Sequence, residues 1–183
     1  MSLISSVFVA MSLDGFIARA EGELDWLEAA NAIVPDGEDC GYQAFMESID
    51  VLIMGRKTYE QVLSFGKWPY GNKSVIVLSR KKIEIPDNLA HTASCSSESP
   101  KALYARLSDT GASRLYVDGG VTIQRFLTEG LINDITITVI PIILGSGKPL
   151  FSHIEKEISL KLVTTKTFDF GFVQLTYEVE KNG

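Results

Sequence analysis

Two short, continuous apolar runs constrain this chain more than any other feature. They are Val51-Leu52-Ile53-Met54 and Ser74–Ser79 (SVIVLS). Neither shows the alternation of a strand with one wet face, so both predict strands covered on both sides. Such strands need helices above and below them, and helical patterns follow at Lys57–Ser64 and Pro100–Ser108. The proline suits a first helical turn. A strand over residues 3–10, a short strand at Arg114–Val117 and a helix at Thr122–Thr128, stopped by Gly130, continue the alternation. Weaker helical patterns surround Trp26–Ala29 and residues 41–49, and residues 86–98 read mostly as loop. Asp134–Ile143 alternates, and residues 159–168 and 172–180 read as a hairpin turning near Asp169-Phe170-Gly171. The expected fold is α/β: a mixed, mostly parallel sheet flanked by helices, with an antiparallel C-terminal hairpin, in one domain over 1–183.

Composition excludes several classes. Of 183 residues, 45% are hydrophobic and 22% charged, which argues against disorder. The net charge of -6, with no basic stripe, argues against a nucleic-acid partner. No apolar run reaches the roughly 18 residues of a membrane span, and the first residues lack a basic leader region. Cys40 and Cys95 lie far apart without metal-ligand spacing, so no metal is expected and a cytoplasmic setting is the simplest. His91 and His153 are isolated and read as structural or surface residues.

Three segments read as helix starts at or near strand ends: Gly55-Arg56-Lys57-Thr58, Leu78-Ser79-Arg80-Lys81-Lys82 and Val117-Asp118-Gly119-Gly120-Val121-Thr122. Helix N-termini offer unpaired N–H groups to anions, and glycine lets a phosphate approach the backbone. Three such sites beyond one sheet edge suit a dinucleotide. Cations at the first two favour a cofactor with an extra phosphate, NADPH over NADH.

Val51–Glu60 (VLIMGRKTYE), Val75–Ser79 (VIVLS) and Leu115–Leu127 (LYVDGGVTIQRFL) resemble the dihydrofolate reductase superfamily, in the same order. Met11–Ala18 (MSLDGFIA) and Leu144–Phe151 (LGSGKPLF) are more similar to its riboflavin-biosynthesis branch, the C-terminal reductase domain of the bifunctional deaminase-reductase. The resemblance spans nearly the whole chain. It implies NADPH-dependent hydride transfer to a pterin- or pyrimidine-like ring. It further implies that Arg56, Lys57 and Thr58 hold adenosine phosphates, beside Gly55, and that Ser79 and Arg80, next to Leu78, meet the 2′-phosphate. Gly119, Gly120, Val121 and Thr122, after Val117, would wrap the pyrophosphate. Ala10 and Ile17 would hold the nicotinamide through their backbones. Asp118 stands where the family's turn usually has a further glycine. A homodimer through the C-terminal strands and LGSGKPLF is also an expectation of the family.

On the substrate side the resemblance implies a buried acid on the helix before the MGR strand. Ungapped counting from Met54 reaches Asp39, beside Glu38, and a separate count reaches Thr138 as its hydrogen-bond partner. An apolar pocket would raise such a carboxyl's pKa and suit it to proton work. Asp14, in SLDG, is a rival acid. Trp26 and Phe45 are candidates to line the substrate ring, and Cys40 lacks a base to make it a nucleophile. The competing class is a non-catalytic NADP(H)-binding module or redox sensor, which would need no acid.

Overall fold

Runs that must be covered on both faces need strands beside them and helices above and below. The structure, a computed structural model describing residues 2–181, provides both. In chain order the first strands are β1 (Ile4–Ser12), β2 (Phe16–Ala18), β3 (Val51–Gly55), β4 (Ser74–Leu78) and β5 (Ala93–Ser96). They are followed by β6 (Arg114–Asp118), β7 (Asp134–Ile140), β8 (Lys148–Pro149), β9 (Leu160–Thr167) and β10 (Val173–Val179). The helices are α1 (Asp25–Asn31), α2 (Tyr42–Glu47), α3 (Arg56–Ser64), α4 (Pro100–Asp109) and α5 (Gly120–Thr128). Eight strands form one sheet in the order β5-β4-β3-β6-β1-β7-β10-β9, while β2 and β8 make a separate ribbon. Every neighbouring pair from β5 to β7 is parallel, and β7, β10 and β9 pair antiparallel.

The period of two divides the central strands between two cores. Val51 and Ile53 face the side where α4 sets Leu103 and Leu107 and α5 sets Ile123, Phe126 and Leu127. Leu52 and Met54 face the other side, with Tyr59 of α3 and the half-buried Phe45 and Met46 of α2. Fully burying one such side chain contributes roughly 1.5–3 kcal/mol. A helix cap such as Ser99 Oγ, which accepts from Ala102 N–H at 3.2 Å, contributes typically about 1 kcal/mol. Two-sided packing therefore decides that these runs become central strands.

Four expectations need correction. Residues 86–98 hold a 3₁₀ turn, Asp87–Leu89, and the edge strand β5. The Ala-Ser-Cys-Ser sequence of β5 has little β-propensity and becomes a strand because the edge of β4 is open to it. No helix starts at Arg80: Ser79 Oγ instead takes the Lys81 N–H at 3.1 Å and donates to the Lys81 carbonyl at 2.7 Å, a local turn. The seventh strand stops at Ile140, because Pro141 has no N–H for the ladder. Helix α5 begins at Gly120, ahead of Thr122.

Candidate active site

The carboxyl ends of β1, β3, β6 and β7 open on one cleft of about 1330 Å³. A single small-molecule site typically spans roughly 300–1,000 Å³, so this cleft has room for a dinucleotide and a second ring compound. Helices α3 and α5 start at its wall with Gly55 and Gly119 as N-caps, and no side chain satisfies their first N–H groups. Glycine is required at these crossings. A Cβ on Gly55 would lie 2.9 Å from Thr122 Oγ1, and one on Gly119 would lie 2.5 Å from Thr58 Oγ1. Gly119 also has φ +90°. A Cβ on Gly120 would come within 3.0 Å of the Pro149 carbonyl oxygen. The two helix starts are packed so closely that only bare backbone fits between them. That cradle suits the pyrophosphate of a dinucleotide, with Arg56 and Lys57 beside it.

Among the residues expected to bind the cofactor, Ala10, Ile17 and Leu78 line the cleft, as do Gly55, Arg56, Lys57 and Thr58. Gly119, Gly120, Val121 and Thr122 line it too. Val117 does not; it is fully buried in the core beneath. Ser79 and Arg80 lie just past Leu78, outside the cleft wall. Arg125, Lys148 and His153 line the cleft as well, though no motif in the sequence marks them for it. Lys148 arrives because β8 pairs with β2, and no local pattern marks a two-residue strand.

Asp14 is exposed and does not line the cleft. Its Oδ1 accepts from Ser12 Oγ at 2.6 Å and from Leu144 N–H at 3.1 Å, and its Oδ2 from Gly145 N–H at 2.7 Å. The Ser12 hydroxyl, with the two loop N–H groups, holds its carboxyl below the usual value. Asp14 is thus a latch between the SLDG turn and the loop that delivers Lys148. A depressed native pKa gives stability that is present above the unfolded value of 3.8 and lost as pH falls through the native one. Asp14→Ala is expected to lower Tm at pH 7, with the difference from wild type shrinking below about pH 4. Thermal melts across pH check this, and a pH-independent difference would remove the latch from the account.

Asp39 lies on the cleft rim but not in an apolar pocket. It is exposed, and its Oδ2 and Oδ1 accept the Gln43 and Gly41 N–H groups at 2.8 and 2.9 Å. Those bonds hold its pKa down, contrary to the raised value expected. Asp39 anchors the start of α2. Thr138 lines the cleft, but its Oγ1 accepts from Gln174 Nε2 at 2.9 Å, not from Asp39. The same Gln174 amide reaches the Cys40 carbonyl at 2.8 Å, so Gln174 occupies the bridging place. Trp26 is buried with Ile140 and Phe172, and its neighbours Leu24 and Leu27 meet the cleft in its stead. Phe45 stacks on Phe8 with centroids 4.7 Å apart and packs edge-on to Tyr116, below the cleft surface.

The carboxyl with the properties sought is Asp118. It ends β6, is half-buried in the cleft lining, and lies near enough to Tyr42, Tyr70 and Tyr116 for its charge to add to burial in raising their phenols' pKa. Burial pushes its pKa up to about 6, partly offset by Gly119 N–H donating to Oδ1 at 2.8 Å. Oδ2 is left to carry a proton. In the sequence Asp118 looks like a departure from a glycine turn. The available signal was a carboxylate ending a covered strand immediately before a glycine pair. Its environment comes from Tyr42 and Tyr70, remote in the chain. The Tyr116 hydroxyl donates to the Phe8 carbonyl at 2.9 Å.

No helix among the described residues is long and apolar enough to cross a membrane. Residues 6–174 match the RibD C-terminal domain. The chain is 37% identical to the uncharacterized Bacillus subtilis protein YwjB over 174 residues, 93% of this chain and 95% of that one. It superposes with TM-score 0.91 and 40% identity on a Shewanella sp. PV-4 protein provisionally named a riboflavin biosynthesis protein, covering 98% of this chain and all of that one. It shares its fold with the dihydrofolate reductase of Enterococcus faecalis, solved with NADP(H), at TM-score 0.64 and 16% identity over 98% of this chain and 97% of that one. The glycine cradle, the mixed sheet and the match over most of its length agree, and the chain belongs to the RibD C-terminal domain family.

Proposed function

We propose that this protein is an NADPH-dependent reductase that delivers a hydride to a pterin- or pyrimidine-type ring compound. The carrying observation is one large cleft joining two glycine-opened helix N-termini to a half-buried carboxyl of raised pKa. The family points to 5-amino-6-(5-phosphoribosylamino)uracil reduction as the nearest branch activity. When bound, NADPH supplies two electrons and one hydrogen as hydride. Reduction of a C=N or C=O bond then needs one further proton on the heteroatom. Asp118 Oδ2 can hold that proton in the cleft and be refilled from solvent. Arg56 and Lys57 supply charge at the start of α3, with Ser79 and Arg80 at the outer edge. Exposed Leu160, Leu162 and Val163 on edge strand β9 support a homodimer, which light scattering tests.

The first experiment is a fluorescence titration of ligand-free protein with NADPH and NADH. NADPH is expected to bind at least about tenfold tighter. Arg80→Ala, at the expected 2′-phosphate position, should weaken NADPH by about tenfold or more and change NADH by less than about threefold, whereas Arg56→Ala should weaken both. Equal affinity for both cofactors, or binding of neither, overturns the reading.

A further inference from the structure

Thr138 carries a buried hydroxyl whose proton has no taker in the protein. It lies on β7, is 6% exposed and lines the cleft. Its Oγ1 lies 2.9 Å from Gln174 Nε2, and the same nitrogen lies 2.8 Å from the Cys40 carbonyl oxygen. A backbone carbonyl can only accept, so the Gln174 atom facing it must be the NH₂ group. Chemistry therefore sets which way the amide points. One N–H goes to the Cys40 carbonyl and the other to Thr138 Oγ1. The hydroxyl uses a lone pair on Gln174 and keeps its own O–H. Among the described residues no acceptor takes that proton; the oxygens of Asp39 hold the Gly41 and Gln43 N–H groups instead.

The sheet order locates this donor. The glycine cradle lies where Gly55 ends β3 and Gly119 follows β6. Strand β1 comes next to β6 and β7 next to β1, so Thr138 lies two strands beyond the cradle, roughly 10 Å across the sheet. It pairs with Ala10 of β1 on one side and Gln174 of β10 on the other. Ala10, Cys40, Ile140 and Phe172 belong to one apolar cluster and line the cleft with it. The O–H is thus set among apolar neighbours, beside the turn that Gln174 ties down.

A ring that fills this corner displaces water from the hydroxyl. It must then offer an acceptor or leave a buried donor unpaired. We propose, resting on the reductase reading, that Gln174 is a positioning residue that determines specificity: it makes the Thr138 hydroxyl a fixed donor to a ring carbonyl of the substrate. The substrate class is an oxo-substituted pyrimidine or pteridine that turns a carbonyl edge to β7. An amino group at that edge would set donor against donor. Substituents elsewhere on the ring, a phosphorylated one included, are untouched by this requirement.

The test measures binding of matched ring compounds to the full chain with NADP⁺ present, at a pH where both members of a pair are neutral. Lumazine, a pteridine dione, and uracil are each compared with the counterpart whose two ring carbonyls are replaced by amino groups. The dione is expected to bind at least about tenfold tighter. Thr138→Val keeps the shape, removes the hydroxyl and should bring each pair within about threefold. Gln174→Glu reverses the demand: a carboxylate accepts the Thr138 proton, leaves the hydroxyl's lone pairs to the cleft, and stands opposite Lys166 of β9. It should reduce the dione preference by about tenfold or more. Circular dichroism checks that Gln174→Glu folds; if it does not, Thr138→Val decides alone. Diamino compounds binding as tightly as diones overturn the inference, as do binding of neither member and a dione preference unchanged in Thr138→Val. Loss of NADPH affinity in Thr138→Val with the ring preference intact assigns the hydroxyl to the cofactor and overturns it too. The NADPH titration of the wild type separates the two failures. Cofactor binding without a dione preference removes the Gln174 proposal and leaves the reductase reading standing. A dione preference without cofactor affinity supports the hydroxyl's role and removes the reductase reading.

Discussion

Gly119→Ala is expected to weaken NADPH binding by at least about 100-fold, about 2.7 kcal/mol, with the fold retained. Two independent penalties meet at this residue. Its backbone at φ +90° and ψ 133° is a conformation L-residues avoid, at about 1–3 kcal/mol. Its new Cβ would also stand 2.5 Å from Thr58 Oγ1, which must then move. Either relaxation shifts the start of α5 against the start of α3, and those starts form the proposed phosphate cradle. A domain stable by roughly 5–15 kcal/mol survives the loss, so circular dichroism should show an unchanged sheet. Adding Thr58→Ala removes the steric part and leaves the backbone strain. The pair should therefore couple by about 1 kcal/mol in thermal or denaturant melts, with stability only partly regained. NADPH affinity in Gly119→Ala within about threefold of wild type would place the cofactor elsewhere.

The sheet was legible because its central strands obey a local rule. Ile53 and Met54 are buried whichever way they point, so the VLIM run admits few structures. The glycine cradle was legible for a similar reason: Gly55 and Gly119 sit at strand-to-helix junctions, which local chemistry marks. The substrate side depends on contacts across the chain. Thr138 looked like a partner for Asp39, but Gln174, 36 residues away on β10, takes its hydroxyl. Asp39 looked like a buried acid, but the chain around Cys40 and Gly41 turns through positive φ and aims its carboxylate at the N–H groups of α2. Arg80 looked like a helix start because cations follow a strand end. The Ser79 turn with Lys81 and the open course of residues 80–86 were not encoded in that pattern.

Asp118→Asn carries the second large expected effect, and its two consequences run in opposite directions. In the native protein the carboxyl has a pKa of about 6 against an ordinary value of 3.8, because burial disfavours its charge. The folded state then binds the proton more tightly than the unfolded state does. Stability from this group is fullest below pH 3.8 and is lost as pH rises through about 6. At neutral pH the ionised group costs on the order of 2–3 kcal/mol. Asn carries no charge and is close in shape, so Asp118→Asn should raise Tm at pH 7–8 and lose the advantage near pH 4. Turnover should fall by about 10²–10⁴-fold, the usual contribution of a positioned proton donor. In the wild type, kcat/KM should decline as pH rises above about 6, where Asp118 loses its proton, and whatever turnover the variant keeps should lack that limb. NADPH affinity should stay within about threefold, since the Gly119 N–H keeps an amide oxygen to donate to. Asp39→Asn is the contrasting variant: exposed and already ionised, it should leave the pH profile in place. A more stable Asp118→Asn protein with undiminished turnover would separate the raised pKa from the chemistry. The substrate's proton would then come from solvent, and Asp118 would be a structural residue of the cleft with no part in the reaction.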